Sequence, residues 1–141
     1  MRIIRTVIAG LLAALLGMSA LAATPAQAGQ ALPERTIEEK DPMDYQITFD
    51  TFKLKGKVTE LQVDGITYLP YAKQKVQLQK KACTKPGCQW KTVKKFKTSK
   101  TGKYVTRIYA PRTGKWKWRV KVKGSDGYKT TKGEVWTLFF K

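Results

Sequence analysis

"KWKWRVKVK", residues 115–123, alternates without a break. Every odd position from Lys115 to Lys123 is basic, and every even one (Trp116, Trp118, Val120, Val122) is apolar. A period of two sends successive side chains to opposite faces of a β-strand, so one half buries and the other stays in water. The wet half is five consecutive cations spaced about 6.7 Å apart, a row roughly 27 Å long. Residues on both sides of the stretch repeat the same period, and this decides the fold class.

Upstream, "KVQLQKKA" points Val76 and Leu78 inward, with Gln77, Gln79 and Lys81 outward. "QWKTVKKFK" sets Trp90 and Phe96 on one face and Lys91, Lys95 and Lys97 on the other. "ITFDTFKLKGKVT" alternates in two phases, and the change near Asp50–Thr51 predicts a bend or bulge. Downstream, "EVWTLFF" carries adjacent Phe139 and Phe140, which a regular strand cannot both bury. Asp64–Gly65, "KTGK" and Asp126–Gly127 supply turns. No helical period follows residue 45. The pattern predicts one all-β sandwich domain of about seven antiparallel strands over 46–141.

The N-terminus reads as an export signal over 1–28. Arg2 and Arg5 precede the apolar core "VIAGLLAALL", and Ala26 and Ala28 form an A-x-A exit. The apolar core is too short to span a membrane comfortably, and no other stretch is long enough. Residues 29–45, "GQALPERTIEEKDPMDY", lack periodicity and read as a flexible acidic leader. The expectation is a secreted, extracellular protein, either free or associated with the cell surface, with no transmembrane segment after cleavage.

Charge is distributed unevenly. Residues 29–64 hold eight acids and five bases, whereas 65–141 hold two acids and 21 bases. Such asymmetry bears on solubility and on encounter with anions. After export only Cys83 and Cys88 remain as cysteines. Four residues separate them, and Pro86–Gly87 turns the chain between them, so the pair reads as a structural disulfide worth about 2 kcal/mol at most.

The chain contains no His and no Asn. Without His or a third Cys a zinc site lacks ligands. No nucleophile elbow or phosphate-cradling loop occurs. Carboxylates within the β region are Asp50, Glu60, Asp64, Asp126 and Glu134; the Asp-Gly turns account for Asp64 and Asp126. No catalytic residue, metal or cofactor is assigned.

Taken together, "KLKGKVT", "PYAKQKVQLQKK", "QWKTVKKFKTSKTGKY" and "GKWKWRVKV" resemble the Ig-like, transthyretin-like β-sandwich modules of secreted actinobacterial proteins. The resemblance runs over about residues 52–128 and rests on Gly56, Val76, Leu78, Trp90, Gly102, Lys103, Tyr104, Gly114, Trp116, Arg119 and Val120. It implies a binding, spacing or surface-display unit. It also implies that the 91–97 strand lies beside 115–123 in one sheet. Lys91, Lys95, Lys97, Lys115, Lys117, Arg119, Lys121 and Lys123 would then form one cationic face. Its expected partners are an anionic wall polymer, an acidic polysaccharide or nucleic acid bound without sequence preference. The contrary expectation is that the lysines only keep a half-buried strand soluble. A second binding mode would use the aromatic C-terminal strand against a protein partner.

Overall fold

The computed structural model describes residues 31–82, 87–110 and 112–141. The signal expected over 1–28 and Cys83 of the expected disulfide lie outside the described residues. Two antiparallel sheets pack face to face, with no closed barrel. The first is organised around the long strand β3 (Thr51–Leu61). On one side β3 pairs with β1 (Thr36–Lys40) and β2 (Gln46–Thr48); on the other it pairs with β4 (Tyr68–Pro70) and β7 (Lys103–Tyr109). The second sheet runs β10 (Trp136–Phe140), β8 (Gly114–Val122), β5 (Lys75–Lys81), β6 (Lys91–Lys97), and the short β9 (Thr131–Lys132) also pairs with β8.

Alternation in the sequence becomes burial in the fold. Phe52, Leu54, Val58, Tyr104 and Ile108 from the first sheet meet Val76, Leu78, Trp116, Trp118, Val120, Val122, Leu138 and Phe140 from the second. Phe52 and Phe140 lock the sheets edge to face, with centroids 5.3 Å apart. Burying each such side chain contributes about 1.5–3 kcal/mol. Phe139 stays half exposed while Phe140 is buried, as their adjacency requires. Both Asp-Gly turns form, with Gly65 at φ 70°, Asp126 at φ 53° and Gly127 at φ 80°. Gly56 lies opposite Tyr104, and a Cβ there would sit 2.5 Å from the tyrosine oxygen and 2.8 Å from the Glu38 carbonyl. The missing side chain lets Tyr104 cross over the strand.

The described part of the expected leader is not a flexible tail. Thr36–Lys40 is a strand in full register with β3, and Pro42–Tyr45 is a 3-10 turn capped by Asp41. Its anchor is Arg35, whose side chain is fully buried. The Arg35 Nε donates to Glu60 at 2.7 Å, Nη1 to the Lys123 carbonyl at 3.2 Å, and Nη2 to the Ser125 carbonyl at 3.0 Å and hydroxyl at 3.1 Å. The guanidinium also lies 4.4 Å from the Tyr71 ring and 4.7 Å from the Tyr128 ring. The composition of this segment looks like a tail because its inward positions are charged. Those charges are satisfied inside the fold instead of in water.

Two further expectations change. The phase shift near Asp50–Thr51 is a hairpin turn between β2 and β3, with Thr48 opposite Thr51, and Phe49 is 75% exposed. Trp90, expected in the core, lies on the outer side of the second sheet against Arg119, 4.0 Å from ring centroid to guanidinium carbon. The ten strands among the described residues outnumber the expected seven or so because β1 lies in the expected leader and β2, β4 and β9 are pieces of two or three residues.

Candidate functional site

The outer face of the second sheet is built by register. On β8, Lys115, Lys117, Arg119 and Lys121 alternate with the buried Trp116, Trp118, Val120 and Val122 and so face outward. The 91–97 strand does not lie beside β8. β5 runs between them, with Gln77, Gln79 and Lys81 opposite Lys121, Arg119 and Lys117. β5 nevertheless continues the cationic face, because Lys75 sits opposite Lys97 and Gln77 opposite Lys95.

A bulge in the β5–β6 pairing, between Leu78 and Gln79, then changes which residues of β6 face outward. Lys91 falls opposite Lys80, on the inner side of the sheet, and leaves the predicted row. It lines a hollow of about 370 Å³ with Lys80, Cys88, Arg112 and Trp116. The exposed Lys94 falls opposite Leu78 and also lies off the row. Of the expected residues, Lys95, Lys97, Lys115, Lys117, Arg119 and Lys121 share the outer face. Lys123, just beyond β8, joins Lys75, Lys95 and Gln77 around a hollow of about 340 Å³.

Sequence reasoning missed Lys75 and Lys132, and it turned Lys81 outward without joining it to the row. Their signal was present in alternation alone, but it needed the pairing to be seen. Lys81 opposes Lys117, Lys75 opposes Lys97, and Lys132 opposes Lys121. Like charges directly opposite one another destabilise a sheet. None of these cations belongs to either ion pair found among the described residues, Arg35–Glu60 and Lys129–Glu34. No acid shares the paired outer positions of this sheet.

At the centre of the face lies a small polar cluster. The Arg119 Nε donates to the Gln79 carbonyl oxygen at 2.9 Å, and the Gln79 amide donates to the Thr92 hydroxyl at 3.2 Å. Partial burial pulls the Arg119 guanidinium below its usual range. Because its guanidinium is hydrogen-bonded to Gln79 and stacked on Trp90, Arg119 positions that ring, and the flanking lysines are the cations more open to a ligand.

Three of the carboxylates in the β region have structural partners. Glu60 holds Arg35, Asp64 caps the turn at Ile66 and Thr67, and Asp50 accepts from Thr48 and Thr51. A cleft of about 380 Å³ between β6 and β7 is lined by Lys80, Lys94 and Arg107 over Leu78 and Trp118, with no carboxylate in its wall. No group of three or more His, Cys, Asp or Glu side chains among the described residues is placed to hold a metal. No helix among them is long and apolar enough to cross a membrane.

Glu39 sits in an environment that resists ionisation. It lies between the sheets and accepts from the Tyr104 hydroxyl at 2.5 Å, the Trp136 indole at 3.1 Å and the Glu134 amide at 3.1 Å. Burial raises its pKa above the ordinary 4.5, against the lowering effect of those donors. The fold thus favours the neutral acid. Its stabilising contribution is complete below the ordinary value and is lost as pH rises through the raised one. Glu39→Gln should therefore gain Tm relative to the parent at pH 7, and that advantage should shrink as the pH falls to 4. Thermal melts across this range check it; an advantage that grows in acid would sink it.

The chain matches no protein-family model, no curated protein and no solved structure.

Proposed function

We propose that this protein is a secreted, non-enzymatic Ig-like module that holds anionic polymers on the outer face of its second sheet. Such polymers include wall polymer, acidic polysaccharide and extracellular DNA, which share repeated negative charge on a linear chain. The observation that carries the reading is the set of directly opposed cation pairs Lys75–Lys97, Lys81–Lys117 and Lys121–Lys132. A merely soluble surface intersperses both signs. Here a face without acids accumulates repulsion that a bound polyanion relieves, with release of counterions. Export and a Cys83–Cys88 crosslink at the β5–β6 end belong to the same reading.

Retention on heparin tests it. The variant with Gln at Lys95, Lys117, Lys121 and Lys123 is compared with one carrying Gln at Lys73, Lys94, Lys100 and Lys141. Both have the same net charge. The first should elute at clearly lower salt than the second; equal elution ends the proposal.

A second reading has one specific support. β10 is an edge strand with Phe139 49% exposed on its outer side, a surface that a protein partner can cover. Truncating the strand would remove the buried Leu138 and Phe140 and unfold the domain. Phe139→Ser keeps the core and isolates the interface. Loss of a captured partner with the fold intact would favour this reading, provided heparin retention is unchanged.

A further inference from the structure

The first sheet carries a cationic outer face of its own. The alternation that buries Phe52 and Leu54 turns Lys53, Lys55 and Lys57 outward. Across the pairing, Lys53 opposes Arg107, Lys57 opposes Lys103, and Lys55 opposes Lys40. These are again like charges placed directly opposite one another. Glu38, opposite Lys57, is the one acid in the array, and it forms neither of the ion pairs found among the described residues. A depression of about 520 Å³ opens here, with Lys40, Lys55, Lys57 and Lys103 in its wall beside the carboxylates Glu38 and Glu39.

We propose that this face is a second polyanion site and that one molecule bridges two polyanion chains. The inference rests on the reading of the second sheet as a polyanion-binding face. Packed sheets lie about 10 Å apart and turn their outer faces in opposite directions. A straight segment of chain therefore touches one row or the other. Duplex DNA, stiff over about 150 bp, cannot wrap so small a domain when it is short. With opposed cation pairs on both faces, and on the first sheet only Glu38 opposite Lys57 to offset them, the molecule carries its lowest repulsion when a separate chain lies on each face. The apolar core between them holds the two faces rigidly apart.

The test immobilises a short duplex, adds the protein, and measures recruitment of a second, fluorescent duplex. The wild-type chain should recruit it at low protein concentration and lose recruitment at excess, when every duplex carries its own protein. Substituting Lys53→Gln, Lys57→Gln, Lys103→Gln and Arg107→Gln should cut recruitment at least tenfold while leaving binding to the immobilised duplex measurable. The quadruple variant at Lys95, Lys117, Lys121 and Lys123 should do the same, and a mixture of the two variants should not restore bridging. Wild-type binding with no recruitment overturns the second site and leaves the first standing. Recruitment by the first-sheet variant within twofold of wild type overturns it as well, since bridging would then come from self-association. Absence of any binding by the wild type overturns both readings. The dependence on excess protein decides the matter if a variant folds poorly.

Discussion

Arg35→Ala is expected to destabilise the fold by about 3–5 kcal/mol, the range for removing one partner of a buried ion pair. That corresponds to a fall in Tm of roughly 10–25 °C for a domain of this size. The loss has three sources. Glu60 would keep its charge without the partner 2.7 Å away. The carbonyls of Lys123 and Ser125 would lose their donors. The rings of Tyr71 and Tyr128 would enclose a void where the guanidinium lay. Arg35 also joins both sheets, since its own amide donates to Thr131 at 2.9 Å while its neighbouring strand pairs with β3. Arg35→Lys should recover only part of the loss, because an ammonium lacks the planar fork that reaches three residues at once. Arg35→Met with Glu60→Leu should recover more than either single change. Urea denaturation reads the series. An alanine variant within 1 kcal/mol of the parent would show that the buried arginine does not hold the domain together.

The same residue shows where sequence reading stopped. Alternation alone placed Trp116, Trp118, Val120 and Val122 in the core, because an apolar side chain on a period of two has one reasonable destination. Arg35, Ile37 and Glu39 also alternate, but two of the three are charged, so the period could not be recognised as a strand. Their burial depends on Glu60, Tyr104 and Trp136, distant in sequence, and no local pattern reveals such partners. Trp90 failed for a related reason. An aromatic is as well placed over a guanidinium as in a core, and only the fold brings Arg119 under it. The cationic face was half legible. The β8 row followed from alternation, whereas Lys91 was lost to a bulge and Lys75, Lys81 and Lys132 were gained through pairings. The charge on the first sheet was equally visible in "KLKGK", but without the partners of that strand it had no face to belong to.

Affinity for duplex DNA is expected to fall about a thousandfold between 50 and 200 mM salt if six of these lysines meet phosphates. Each cation that neutralises a phosphate contributes about 0.9 to the slope of log K against log salt, so six give a slope near −5. Substituting Gln for Lys95, Lys117, Lys121 and Lys123 should flatten that slope by about 3–4. Arg119→Gln should change it by less than one lysine does, since its guanidinium is already engaged by Gln79 and covered by Trp90. Sequence should matter little. The face presents lysines on a flat sheet, with no bidentate arginine free to read a base edge, and such pairs supply about 1–3 kcal/mol of discrimination each. Titrations at several salt concentrations, on two duplexes of equal length and different sequence, separate these claims. Trp90 supplies an internal reporter, because it alone of the described tryptophans lies on this outer face and Trp90→Phe removes its fluorescence. A slope near −1, or one unchanged by the four substitutions, would mean that the lysines remain solvated and serve solubility alone. A steep slope that the substitutions flatten, equal on both sequences, is what a face built from opposed cation pairs must give. Its repulsion, about the same for any partner, is relieved by charge density and not by shape.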